Sequence, residues 1–236
     1  MMSLIALSQR MANSFQEALN LTTCRPDYTV SCDEIDLFLT KMIAPTQPNG
    51  VIICAAGFIL LPVPPANVFN FLSDENRRHE WDVLTAGLPV RQISHIPIGT
   101  DAANRITILE PMTSNSQIFQ QASRNPQQGS YLIVYTPITE QEVQNIANGQ
   151  LDHSQLPITP SGFYISSGSE AFNNMNAAPG TVTGTTRGHH HSHLTVAFQI
   201  LTPGGSTNEE LGMESLASIH DVFKETVQNI KTALNC

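Results

Sequence analysis

The C-terminal end of the chain limits the fold more than any other segment. Leu216, His220, Phe223, Val227, Ile230 and Leu234 recur at three- and four-residue spacing through 213–234, with Asp221, Lys224, Glu225, Gln228 and Lys231 opposite them. This is the period of an amphipathic helix, which at 1.5 Å per residue spans roughly 33 Å. An apolar stripe of that length needs a surface of equal length to cover it. The preceding chain offers one. Runs rich in β-branched and aromatic residues at 90–98, 103–109, 116–123, 131–136, 162–166 and 194–201 are separated by Gly, Pro, Asn and Asp, the pattern of an antiparallel meander. Together they predict an α+β fold, a curved antiparallel sheet with a long C-terminal helix packed across it.

The rest of the chain fits around that pair. Leu4, Leu7, Met11, Phe15 and Ala18 give residues 3–19 one apolar helical face, closed by Pro26. Residues 29–42 alternate Val30, Ile35, Leu37 and Leu39 with acidic side chains and read as an edge strand or hairpin arm. Asn49-Gly50 marks a turn before the β-rich run 51–61, where Gly57 suggests a bulge or bend. Thr139 followed by Glu142 is a capping-box signature, and Val143 and Ile146 supply a small apolar face before Gly149. The stretch 167–193 is rich in Gly, Ser, Asn and Thr with hardly any charge, and predicts a flexible hairpin loop. There is no internal repeat.

The segment at 61–82, LPVPPANVFNFLSDENRRHEWD, carries a further signal. Pro64 and Pro65 stand where a helix tolerates proline. Val68, Phe69 and Leu72 form a stripe; Asp74, Glu75, Arg77, Arg78 and Glu80 read as solvent-facing, and Trp81, the only tryptophan, returns to the protein. This run resembles the short helix of START-like domains. More narrowly it is similar to the region that follows the START domain in plant class IV homeodomain-leucine zipper transcription factors. LSQRMANSF at 7–15, SHI at 94–96 with Gly99, VYTP at 134–137, PSGF at 160–163 and LTVAFQIL at 194–201 match the same region in order. The resemblance covers nearly the whole chain and implies one START-like helix-grip unit over 1–236. It also implies a nuclear location, dimerisation through a zipper outside this sequence, and lipid-type ligands. Two features depart from the family: Ile138 and Thr139 stand where an acidic residue is expected after VYTP, and a histidine-rich stretch precedes LTVAFQ.

Charge narrows the partners. Eleven Lys and Arg face twenty Asp and Glu, a formal net charge of −9, without a cationic cluster. Phosphate-gripping surfaces are basic, so direct nucleic-acid contact by this chain is not expected; in an intact family member DNA is met through the homeodomain. No apolar run approaches the roughly 18 residues of a membrane span, and the N-terminus lacks the basic start of a signal peptide. Cys24, Cys32, Cys54 and Cys236 have no metal or redox spacing and read as reduced thiols in an intracellular compartment.

Catalytic and metal readings are weak. His189, His190, His191 and His193 could bind a metal, yet no Cys, Asp or Glu nearby completes a tetrahedral set, so neither a metal site nor a cofactor is expected. Ser161 is not in a nucleophile elbow; His79 with Asp82 and His95 with Asp101 are pairs of types common on surfaces. His220 on the helix stripe reads first as a core histidine and second as a polar anchor inside an apolar pocket. Candidate ligand-binding residues are therefore Trp81, Val196, Phe198, Ile200, His220 and Phe223. The expected function is a non-enzymatic regulatory or interaction module with space for a lipid or sterol-like ligand. The alternative is a free-standing lipid or sterol carrier, and third a helix-grip enzyme.

Overall fold

The computed structural model describes residues 2–32, 35–43, 50–112, 116–167, 191–203 and 213–236. Nine strands form one antiparallel sheet: β1 (Tyr28–Cys32), β2 (Ile35–Ile43), β3 (Gly50–Leu61), β4 (Val90–Pro97), β5 (Arg105–Pro111), β6 (Gln117–Asn125), β7 (Ser130–Ile138), β8 (Ser161–Ser167) and β9 (Ser192–Pro203). Their order is β1-β2-β3-β9-β8-β7-β6-β5-β4. Among the described residues the α-helices are α1 (Met2–Cys24), α2 (Pro65–Ser73), α3 (Glu140–Ala147) and α4 (Met213–Leu234). This is the α+β helix-grip arrangement expected from the sequence.

Successive side chains of a strand point to opposite faces, and the sheet uses both. On the grip face, Ile53 and Ala55 of β3, Ile133 of β7 and Val196 of β9 pack with α2 and with Ile219, Phe223, Val227 and Ile230 of α4. Burying each of these four α4 side chains contributes roughly 1.5–3 kcal/mol. Their sum rivals the net stability of a whole domain, about 5–15 kcal/mol, so α4 is integral to the fold. On the outer face Leu4, Leu7, Met11 and Phe15 of α1 are buried against Ala56, Phe119, Val134 and Ala197. The capping box at Thr139 and Glu142 forms as read, Thr139 N donating to Glu142 Oε2 at 2.8 Å and Glu142 N to Thr139 Oγ1 at 3.2 Å. It starts α3, whose Ile146 joins the outer core.

Several local expectations change. Helix α1 runs five residues beyond the predicted end at 19, to Cys24. The 29–42 stretch resolves into two strands, β1 and β2, an antiparallel pair at the sheet edge. The turn at Asn49-Gly50 has its Asn outside the described residues, and the loop expected at 167–193 lies outside them over 168–190. Gly57 makes no bulge: the ladder runs unbroken through Leu37↔Gly57 and Gly57↔Val196. Its reason is close packing. A Cβ there would lie 2.6 Å from Phe223 Cζ and 3.1 Å from the Asp36 carbonyl oxygen. The register shift sits instead in β4, between Gln92 and Ser94. Cys24, Cys54 and Cys236 are free thiols, and among the described residues no helix is long and apolar enough to cross a membrane.

Candidate functional site

The grip face is organised around the segment that follows Pro64. Pro65 occupies the first turn of α2, where a missing N–H is harmless, and Val68, Phe69, Phe71 and Leu72 are buried. The helix ends at Asp74, whose carboxylate accepts from Asn76 N at 3.0 Å and starts a 3-10 helix over Glu75–Glu80. In a 3-10 helix residues i and i+3 eclipse, so Arg78 and Trp81 both turn inward. Each is only 1% exposed. This corrects the solvent-facing reading of Arg78.

Arg78 is the hub of a buried polar node. Its Nε donates to Asp82 Oδ2 at 2.8 Å and its Nη1 to Gln120 Oε1 at 2.6 Å; Gln120 Nε2 in turn donates to Thr107 Oγ1 at 3.4 Å. The guanidinium carbon lies 4.7 Å from the Trp81 ring centroid and 4.5 Å from that of Tyr135. Planar, weakly hydrated guanidinium suits such stacking. Asp82 also accepts from Leu84 N at 3.0 Å, capping the 3-10 turn Val83–Thr85. Trp81 meets Phe163 edge-on at 5.0 Å. Burial, and secondarily the Asp82 carboxylate, push the Tyr135 phenol well above its ordinary range, against the opposing pull of Arg78; Tyr135 is a neutral wall of the node. Two donors inside it, Arg78 Nη2 and Trp81 Nε1, are buried without a protein acceptor.

The predicted ligand-binding residues divide. Trp81, Val196 and Phe223 lie within one core cluster, and Phe198 packs on its edge; Phe198 and Phe223 meet edge-on at 5.9 Å. Ile200 shares the strand face but is 40% exposed towards the end of β9. His220 sits at the margin of α4, its Nδ1 3.6 Å from Asp221 Oδ1. The inward place that the stripe assigned to His220 belongs to Ile219, one residue earlier and equally compatible with Leu216 and Phe223. Arg78, Asp82, Gln120, Thr107 and Tyr135 form the polar part of the site, and sequence reasoning missed them as a group.

The catalytic readings find other partners. Asp82 is held by Arg78, Asp101 by Arg124 at 2.8 Å, and Ser161 Oγ accepts from Gln199 N at 3.2 Å. His189 and His190 lie outside the described residues and His191 is exposed; among the described residues no three His, Cys, Asp or Glu converge as a metal site.

The family described as PDF2-like, C-terminal domain matches residues 1–236. The homeobox-leucine zipper protein ROC8 of Oryza sativa subsp. japonica is 37% identical, covering 99% of this chain and 34% of its own length. HDG12 of Arabidopsis thaliana, another homeobox-leucine zipper protein, is 34% identical over 99% of this chain and 32% of itself. The chain thus spans about a third of the length of these curated relatives. Among solved structures, CalU16 from Micromonospora echinospora has a TM-score of 0.38 at 11% identity, covering 86% of this chain and 89% of its own. Ara h 8.0201 has a TM-score of 0.36 at 11% identity, covering 77% and 97%.

Proposed function

Because the chain belongs to the PDF2-like, C-terminal domain family, the START-adjacent region of plant class IV homeodomain-leucine zipper proteins, we propose that residues 1–236 form one START-like, non-enzymatic regulatory and interaction module of such a transcription factor. It works in the nucleus, within a protein dimerised through its zipper, and leaves DNA to the homeodomain. The observation that carries this reading is the state of the grip. Trp81, Val196 and Phe223, three of the six residues expected to meet a ligand, are at most 1% exposed, and Phe223 touches the backbone of β3 at Gly57. A grip used as a core makes a rigid body whose outer surface meets partners. A formal charge of −9 suits protein partners better than phosphates. Asp82, the acid most deeply placed in the grip, is engaged by Arg78 and Leu84 N, which supports a structural role for it over a catalytic one.

A second reading rests on a separate observation. The unpartnered donors Arg78 Nη2 and Trp81 Nε1 lie inside an apolar grip, where a lipid or sterol-like molecule with one acceptor at its head would satisfy them; a free-standing carrier would use the same place. Two experiments separate these readings. Deleting residues 1–236 from an intact factor should change transcription of a reporter while leaving binding of the factor to its DNA site intact; unchanged transcription, or lost DNA binding, overturns the module. Purification without detergent followed by mass spectrometry of extracted apolar compounds tests the second. Stoichiometric lipid supports it, and a lipid-free, well-folded protein whose thermal midpoint ignores fatty acids, sterols and phospholipids removes it.

A further inference from the structure

The outer face carries a cleft that the grip readings leave unused. It has a volume of about 400 Å3, within the range of small-molecule sites. Ala18 and Leu21 of α1, Met42 of β2, Ile52 of β3 and Leu201 of β9 are among its apolar walls, and Pro157 with Ile158 closes one side. Leu21 and Ile43 at its lining are 42% and 69% exposed, so part of the apolar lining lies open to solvent.

Two polar side chains give it direction. Gln199, on β9 and 7% exposed, lines the cleft, and its Nε2 is buried with no protein acceptor. Arg10, on α1, uses Nη1 and Nη2 to hold the carbonyls of Ser154 at 3.0 Å and Leu156 at 2.7 Å. Those bonds fix the 154–158 wall to α1. Its Nε is likewise buried without an acceptor. Burial lowers the Arg10 pKa, opposed by Asp152; a desolvated cation of this kind gains from an added acceptor. Glu17 also belongs to the lining and is exposed, which sets a negative charge at the solvent side. Two residues of the lining thus each carry a buried donor without an acceptor, and an unsatisfied buried donor is costly until something accepts from it.

We propose that this outer-face cleft binds a small apolar molecule headed by an sp2 oxygen, a carboxylate or a carbonyl, which accepts from Gln199 Nε2 and Arg10 Nε while its chain lies along Ala18, Ile52 and Leu201. The site is independent of the grip, which lies on the other side of the sheet.

The test uses decanoic acid, methyl decanoate and decyltrimethylammonium, three ten-carbon chains differing in their heads, titrated into the whole chain carrying labelled methyl groups and followed by NMR. Decanoic acid or its methyl ester should shift the methyls of Ala18, Leu21, Ile52, Leu156 and Leu201 and leave those of Val196, Ile219 and Val227 unmoved. A stronger response to the acid assigns the natural head as a carboxylate, and a stronger response to the ester assigns a carbonyl. Gln199→Leu should weaken the preferred probe about tenfold, and Ser14→Phe, which fills the cleft from a half-exposed position on α1, should abolish binding with the fold unchanged by circular dichroism. Equal affinity for decyltrimethylammonium, shifts confined to the grip methyls, full binding by a folded Ser14→Phe protein, or the absence of any shift would each overturn the site.

Discussion

The two faces of the sheet are built from alternate residues of the same strands, yet they are held together differently. Strand β6 sends Gln120 and Ala122 to the grip and Phe119 to the outer face; β9 sends Val196 to one and Ala197 to the other. The grip face joins aromatic rings to a buried ion pair, contacts that depend on direction as well as on burial. The outer face is mainly aliphatic, with α1 laid along it and a cleft left beside α1. Dispersion and burial tolerate small shifts, whereas a buried guanidinium between two rings does not. Substitutions should therefore cost more, and add less simply, on the grip side.

The hardest blow to this contrast comes from α4. Phe223→Asp loses packing of about 3–5 kcal/mol and adds the desolvation of an unpaired carboxylate, enough to remove the cooperative thermal transition. Lys224→Asp, on the exposed side of α4, should change the stability by about 1 kcal/mol or less and leave the midpoint close to that of the parent. Equal midpoints for the two proteins would mean that the helix face is assigned wrongly. Next is Arg78→Leu, expected to cost about 3–5 kcal/mol in urea denaturation because it leaves Asp82 buried and unpaired. Adding Asp82→Leu should return part of that loss. The neighbouring pair Arg77–Glu80 has side chains 40% and 31% exposed; Arg77→Ala should cost under about 1 kcal/mol.

Smaller effects sharpen the comparison. Gly57→Ala drives a methyl into Phe223 and should cost about 1–3 kcal/mol. In a Phe223→Leu background the same change should cost less, and strictly additive values in a double-mutant cycle would show that the two residues are not in contact. On the outer face Thr139→Ala removes the α3 cap for about 1 kcal/mol, and hydrogen exchange should quicken in α3 while the amides of β7 stay protected. If exchange in β7 quickened equally, the outer face would be as cooperative as the grip.

Much of this was legible because periodicity is local. The stripes of α1 and α4, the meander and the Thr139 cap follow from spacings within a few residues, and the structure keeps them. The polar node was not legible for a specific reason. Extending the 3.6-residue period of Val68, Phe69 and Leu72 beyond Asp74 points Arg78 at solvent; the switch to a 3-10 helix resets the phase and brings Arg78, Trp81 and Asp82 inward together. The partners Gln120 and Tyr135 are supplied by strands far along the chain. His220 failed for a different reason: Ile219 and His220 both satisfy the stripe, and only the packing of α4 separates them. The donors in the outer cleft, Gln199 and Arg10, are distant in sequence and share no motif.

The strand order has a consequence for how the molecule is made. Strands β4 to β8 pair with chain neighbours, so most of their ladders close short loops as soon as they are synthesised. The β1–β3 group closes its own neighbouring ladders in the same way, but it cannot complete the sheet alone. Its inner edge pairs only with β9, as in Leu61↔Ser192 and Gly57↔Val196, contacts separated by more than half the chain. Until β9 leaves the ribosome, β3 presents an unpaired edge rich in Val, Ile and Leu, a template for the wrong neighbour. Strand β9 is thus the keystone of the sheet: nascent chains stalled before Ser192 should need chaperones, and those carried through α4, past Leu234, should lose that need.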